Sequence, residues 1–252
     1  MRRSVFRRSS KVLALIVAVT VAGLGRYVPS SAFLGQVPVA SQATAVESQA
    51  DFQQAPSPLG DADLPAYSGE PSVALGASSG LDPADAPEGV DLPDLDALGR
   101  PGAVSATVTP STMPADGEER GSIGMIKPTG WHTVRDDSID GKYLYNRCHL
   151  VAWCLSGLNA EERNLVTGTR YMNVEGMLPY EELVASYVER TGGSVFYKVT
   201  PDFRGDELVA RGVRIQALSL GDDGSAIDLD VYCHNVQPGY SIDYATGAAA
   251  CS

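Results

Sequence analysis

Between residues 195 and 234 apolar and polar side chains alternate with a period of two. Residues 195–200 read as one strand. Residues 208–220 read as a second, with Val213, Ile215 and Ala217 on one side and Arg214, Gln216 and Leu218 on the other. After a turn at residues 221–225, Ile227, Leu229, Val231 and Cys233 alternate with Asp228, Asp230, Tyr232 and His234. The pattern predicts a half-buried antiparallel hairpin. Upstream the period lengthens. Leu183, Val184, Tyr187 and Val188 form a helical stripe over residues 180–191, with Pro179 in its first turn and Gly192 and Gly193 ending it. Residues 170–177 predict a separate short helix, residues 164–169 a short β-branched strand, and residues 142–152 a strand or hairpin arm. The sum is an α+β protein, an antiparallel sheet core flanked by helices. The chain has no internal repeat and no Gly-rich phosphate loop.

The first 100 residues lack such a period. Arg2, Arg3, Arg7, Arg8 and Lys11 precede an apolar run from Val12 to Leu24. That run is short of the roughly 20 residues a membrane span needs, so residues 1–34 read as a secretory signal peptide or an N-terminal anchor. Residues 35–91 are rich in Ala, Pro, Ser, Gly and acidic residues and contain no Lys or Arg. A stretch of this kind buries too little apolar surface to offset its chain entropy, so it is expected to be a disordered linker. The folded domain is then residues 92–252. These readings make the protein secreted, or tethered to the outer face of the cell membrane if the N-terminal segment stays uncleaved.

Charge and cysteines constrain the picture further. The formal net charge is −12, and residues 100–252 remain acidic. Bulk attraction to nucleic acid is thereby excluded, although an enzyme that must release its product needs only a local basic groove and a cation. Lys127, Arg135, Arg204, Arg211 and Arg214 are candidates for such a groove. Cys148, Cys154, Cys233 and Cys251 are an even set in an exported chain, which suggests disulfides in one of three pairings.

Three histidines are present, His132, His149 and His234. His149 has the most interesting neighbours. Arg147 lies two residues before it and would share its face on a strand. Asn173 follows after 24 residues and Glu181 eight residues later. An imidazole can act as a base near neutral pH, an Asn oxygen suits Mg²⁺, and an arginine can hold a phosphate oxygen. On a straight helix eight residues span about 12 Å. Glu181 is therefore expected to act through metal-bound water rather than as a direct ligand. His132 and His234 read as structural, and Trp131 and Trp153 as core. A Zn²⁺ or thiol hydrolase built on Cys148, His149, Cys154, Cys233 and His234 is the competing enzyme reading, although the usual CxxC pairing is missing.

Several strings go beyond spacing. They are Gly124-Met-Ile-Lys-Pro-Thr-Gly-Trp-His132, Tyr145-Asn-Arg-Cys-His-Leu150, Arg163-Asn-Leu-Val-Thr-Gly-Thr-Arg-Tyr-Met-Asn-Val-Glu-Gly-Met177, Asn235-Val-Gln-Pro-Gly239 and Ile242-Asp-Tyr-Ala-Thr-Gly247. Together they resemble the DNA/RNA non-specific endonuclease family, in particular its secreted bacterial branch. The resemblance covers about residues 92–247. It implies a ββα-metal (His-Me) finger and Mg²⁺-dependent cleavage of DNA, and of RNA in many members, with Mn²⁺ as a substitute ion. It also implies His149 as general base, Asn173 as metal ligand, and Arg147 and Glu181 as supporting catalytic residues. Arg170 would be a substrate contact. Asn146 and Cys148 depart from the family's Asp-Arg-Gly-His pattern. The partners implied are DNA and RNA, with no protein partner. A catalytically degenerate DNA-binding or DNA-uptake protein of the same fold is the non-enzymatic alternative.

Overall fold

The computed structural model describes residues 64–252 together with residue 59, all within the unit Asp51–Ser252. The expected signal or anchor, and most of the expected linker, lie outside the described residues. Among the described residues no helix is long and apolar enough to cross a membrane.

The strands in chain order are β1 (Ser72–Ala74), β2 (Val90–Asp91), β3 (Val104–Val108), β4 (Tyr145–His149), β5 (Leu165–Thr169), β6 (Val195–Pro201), β7 (Gly212–Ser219), β8 (Asp228–His234), β9 (Tyr240–Ile242) and β10 (Ala249–Cys251). Six of them form an antiparallel sheet in the order β1-β8-β7-β6-β3-β2. The α+β expectation holds. The register Val213↔Cys233, Ile215↔Val231 and Ala217↔Leu229 gathers one apolar face. That face packs on Val184, Tyr187 and Val188 of helix α2 (Leu178–Thr191). The other face carries Arg214, which reaches diagonally to Asp230 and pairs with it at 2.6 Å.

The linker expectation fails over residues 72–91. β1 adds to β8, with Val73 opposite Tyr232, and β2 adds to β3. Between the two strands the chain crosses the polar face of the sheet. The Leu75 N–H donates to Asp230 O at 2.9 Å, and Gln216 Nε2 donates to Ser79 O at 2.6 Å. Ser79 is 2% exposed. The segment has no apolar period because its order comes from main-chain hydrogen bonds to sheet edges that already exist. It also covers both edges, which would otherwise invite pairing with other chains.

The disulfide expectation also fails. All four cysteines are free thiols, with Cys148 and Cys233 buried in the core and Cys251 exposed at the end of β10.

The helical region departs from expectation in an instructive way. Residues 170–191 form one uninterrupted helix, not two. Its middle, Met172–Met177, is π-helical, and the Leu178 N–H donates to Asn173 O five residues back. Pro179 has no N–H and would crowd an ordinary α turn. The wider turn preceding it absorbs that misfit, so proline marks a π turn here rather than a helix start.

Candidate active site

β4 and β5 form a separate two-stranded hairpin, with His149 opposite Leu165 at the end that leads into the connecting loop. β5 runs straight into the helix that begins at Arg170. Gly168 permits this junction, because a side chain there would overlap the Cys148 thiol and the Met172 methyl. Behind His149 the chain forms a short helix, α1 (Trp153–Ser156), closed by Gly157. Asn164 ties down this return. Its fully buried side chain bonds both the N–H and the C=O of Val151, each at 2.9 Å. Asn235 performs a similar service for β5. It accepts from the Thr169 N–H and donates to Thr167 O and Ala210 O.

Hairpin and helix enclose a cleft of about 640 Å³. His149, Arg147, Asn173, Glu181 and Arg170, the five residues singled out from sequence, all line it. The imidazole of His149 is 6% exposed. Its Nε2 lies 2.8 Å from the Asn159 carbonyl. A carbonyl only accepts, so Nε2 carries the ring proton and Nδ1 holds the free lone pair. Burial, aided by the nearby Arg120 charge, lowers the His149 pKa to about 4, against the opposing effect of the Asn159 bond. The ring is therefore neutral at physiological pH, with its Nδ1 lone pair free of a proton.

Cys148 turns away from the cleft into the core, and burial pushes its thiol pKa far up. It is not poised as a nucleophile. Among the described residues no three His, Cys, Asp or Glu side chains are placed to hold a metal ion. The thiolate-zinc reading accordingly finds no support.

Asn173 and Glu181 reach the same cleft because of the π turn. That turn takes up one extra residue, so eight positions span the rotation that seven span in a regular helix. Seven residues make nearly two turns, which brings both side chains to one face. Among the described residues nothing hydrogen-bonds to the Asn173 side chain, which leaves its oxygen available to a hard cation. Glu181 is 9% exposed. Burial raises its carboxyl pKa to about 8, against the lowering influence of Arg120. One amide oxygen and one buried carboxyl suit an ion that keeps most of its waters.

Arg147 does not stand free beside a phosphate, as the sequence suggested. Its guanidinium lies 4.0 Å over the Trp131 ring and donates to the carbonyls of Ile126 and Gly124. It holds the wall of the cleft. Trp131 and Trp153 are half-buried and line that wall, and Trp131 also packs on the small core of Ile139, Leu144 and Tyr145. Arg170 donates to Asp140 at 2.7 Å, while its Nε and the Asn146 Nδ2 are buried without a partner. Arg204, Arg211 and Arg214 each pair with a carboxylate, so they form no free basic groove. His132 Nε2 donates to Thr246 O at 3.1 Å, and His234 packs edge-on against Tyr232. Neither lines the cleft.

Sequence reasoning missed Arg120. Its Nη2 lies 2.9 Å from His149 Nδ1, the basic atom of the ring. The signal available was slight: a single cation ending an acidic run, Asp116 to Glu119.

A hairpin that ends on a buried imidazole and leads directly into a helix bearing an amide and a carboxylate defines a ββα-metal finger. The chain belongs to the DNA/RNA non-specific endonuclease family, whose profile matches residues 85–221. It is 36% identical over 110 residues to a deoxyribonuclease of Streptococcus dysgalactiae subsp. equisimilis. That match covers 42% of this chain and 32% of the relative, so it spans about a third of the relative's length. Among solved structures, magnesium-bound NucA from Streptococcus agalactiae superposes with a TM-score of 0.61 at 26% identity, covering 69% of this chain and 83% of NucA. The zinc-bound Sda1 nuclease superposes with a TM-score of 0.63 at 25% identity, covering 73% of this chain and 97% of Sda1.

Proposed function

We propose that the chain is a secreted or surface-tethered endonuclease that hydrolyses phosphodiesters of DNA, and of RNA, with Mg²⁺ as its ion and Mn²⁺ as a substitute. The observation that carries this reading is the His149 ring. It is fixed by Asn159 in the tautomer that turns a basic Nδ1 towards a cleft shared with Asn173 and Glu181. The metal-bound relatives support a divalent cation as cofactor.

In this reading Asn173 supplies the direct protein ligand, and Glu181 acts through the ion's waters. When bound, the ion supplies Lewis-acid charge beside the phosphate. His149 Nδ1 takes a proton from the attacking water. The unpartnered donors Asn146 Nδ2 and Arg170 Nε suit phosphate oxygens. Arg120 leaves Nδ1 as a phosphate enters, which frees the base and brings a cation to the developing negative charge. Arg147 positions the wall. Residues 1–34 serve export or anchoring.

A plasmid-nicking assay with and without EDTA tests the reading, together with linear DNA and RNA across Mg²⁺, Mn²⁺ and Ca²⁺. Cleavage that EDTA abolishes, and that His149→Ala lowers by about 10²–10⁴-fold, is the expected result. Binding without cleavage would instead identify a DNA-capturing protein.

A further inference from the structure

Hydrolysis of a phosphodiester has no use for Tyr143, yet the fold goes to some length to present it. Tyr143 is 46% exposed. Of the large apolar side chains left exposed among the described residues, it alone lines the cleft. The next two residues, Leu144 and Tyr145, are buried. The backbone bends sharply to achieve this. Gly141 and Lys142 are successive left-handed residues, at φ 75° and 64°, and Lys142 is not a glycine, so the conformation is strained. Tyr143 then returns to extended backbone at φ −134°, ψ 132°, and bridges to Arg135.

Tyr143 is in phase with Arg147 and His149 on the strand that follows. At about 3.3 Å per residue it lies within about 20 Å of the base, along the same cleft wall. Cations flank it. Arg135 and Lys142 share one carboxylate, Asp137, at 3.3 and 3.5 Å, and all three side chains are well exposed. Pairs of that kind are weakly held, so both cations are free to follow a phosphate backbone. An exposed ring between loosely held cations is the composition of a single-strand platform.

We propose that Tyr143 is a nucleobase-stacking residue that binds an unpaired base of a single strand a few nucleotides from the scissile bond, with Arg135 and Lys142 on the flanking phosphates. The proposal rests on the nuclease reading above and adds a substrate preference to it. Every base has a π-face, so the platform suits an enzyme without sequence specificity. Bases stacked within a duplex cannot reach it, so single-stranded or frayed nucleic acid is favoured.

Fluorescence anisotropy of the full chain with a short labelled oligothymidylate in EDTA tests this without turnover. Tyr143→Ala is expected to weaken binding about tenfold, in the range found for base–aromatic stacking, and Tyr143→Phe to restore it. Cleavage of single-stranded DNA should lose through KM rather than kcat, with a smaller effect on duplex. An oligonucleotide with abasic positions should bind wild type more weakly but cost Tyr143→Ala nothing further. Equal binding by wild type and Tyr143→Ala, or equal losses on normal and abasic strands, would overturn the proposal while leaving the nuclease reading intact. Wild-type protein that neither binds nor cuts would sink the nuclease reading and the platform with it.

Discussion

Arg120 and His149 share a hydrogen bond of 2.9 Å, Nη2 to Nδ1, across 29 residues of chain. A cation thus rests on the one atom that must accept a proton. Arg120→Ala removes both the cap and the nearest positive charge. Loss of that charge should raise the His149 pKa, because Arg120 helps to hold it down. The acid limb of the pH–rate profile should then move to higher pH. Cleavage at neutral pH should fall about 10²-fold, as when one donor to a developing oxyanion is lost. A profile that keeps both its height and its acid limb would mean that Arg120 has no part in the reaction.

His149 also links stability to pH. Its folded pKa, about 4, lies below the ordinary 6.5, so the unfolded chain binds the proton more readily. Its contribution is complete above 6.5 and is lost as pH falls from there towards 4, up to about 3 kcal/mol. Melting curves of wild type and His149→Gln between pH 7 and pH 4 should converge as the pH drops. Parallel curves would refute the assignment.

Asn173→Ala should weaken Mg²⁺ binding and raise the Mg²⁺ concentration needed for cleavage by at least about tenfold, as expected when the sole direct protein ligand is removed. Isothermal calorimetry of the nucleic-acid-free protein reads the first effect without activity. An unaltered titration would place the ion on other residues.

Truncation separates the covering segment from what precedes it. A chain starting at residue 64 should melt like the full protein. A chain starting at residue 92 loses β1, β2 and the buried Ser79. It should melt at least about 10 °C lower, since each kcal/mol lost lowers Tm by about 2–4 °C in a domain of this size. Equal melting of the two would return residues 72–91 to the status of a spacer.

Asn235→Ala should cost about 3 kcal/mol or more. It strands the Thr169 N–H and the carbonyls of Thr167 and Ala210 in a buried site, and each unsatisfied group costs about 1–3 kcal/mol. Urea unfolding measures the loss. A change below about 1 kcal/mol would mean that water replaces the amide.

The features legible in sequence were those written in side-chain periodicity. The β7–β8 hairpin alternates strictly, and α2 carries a plain stripe. β1 and β2 were invisible because an edge strand joins through its main chain and needs no apolar pattern. The partner that sets the His149 tautomer is a backbone carbonyl, which no residue identity announces. Arg120 lies in an exposed acidic loop and becomes notable only when folding sets it on Nδ1. Pro179 misled because proline suits the first turn of a helix as well as the turn after a π segment. The five residues singled out do meet in one cleft, but Arg147 serves its wall.

The wide turn at Met172–Met177 has a consequence for spacing. It lets the helix carry one more residue between Asn173 and Glu181 without losing phase. Deleting a residue there and reverting to an ordinary α turn should leave both side chains facing the same way. The separation of eight along the chain is thus set by the turn that intervenes, and the shared face is what the chemistry requires.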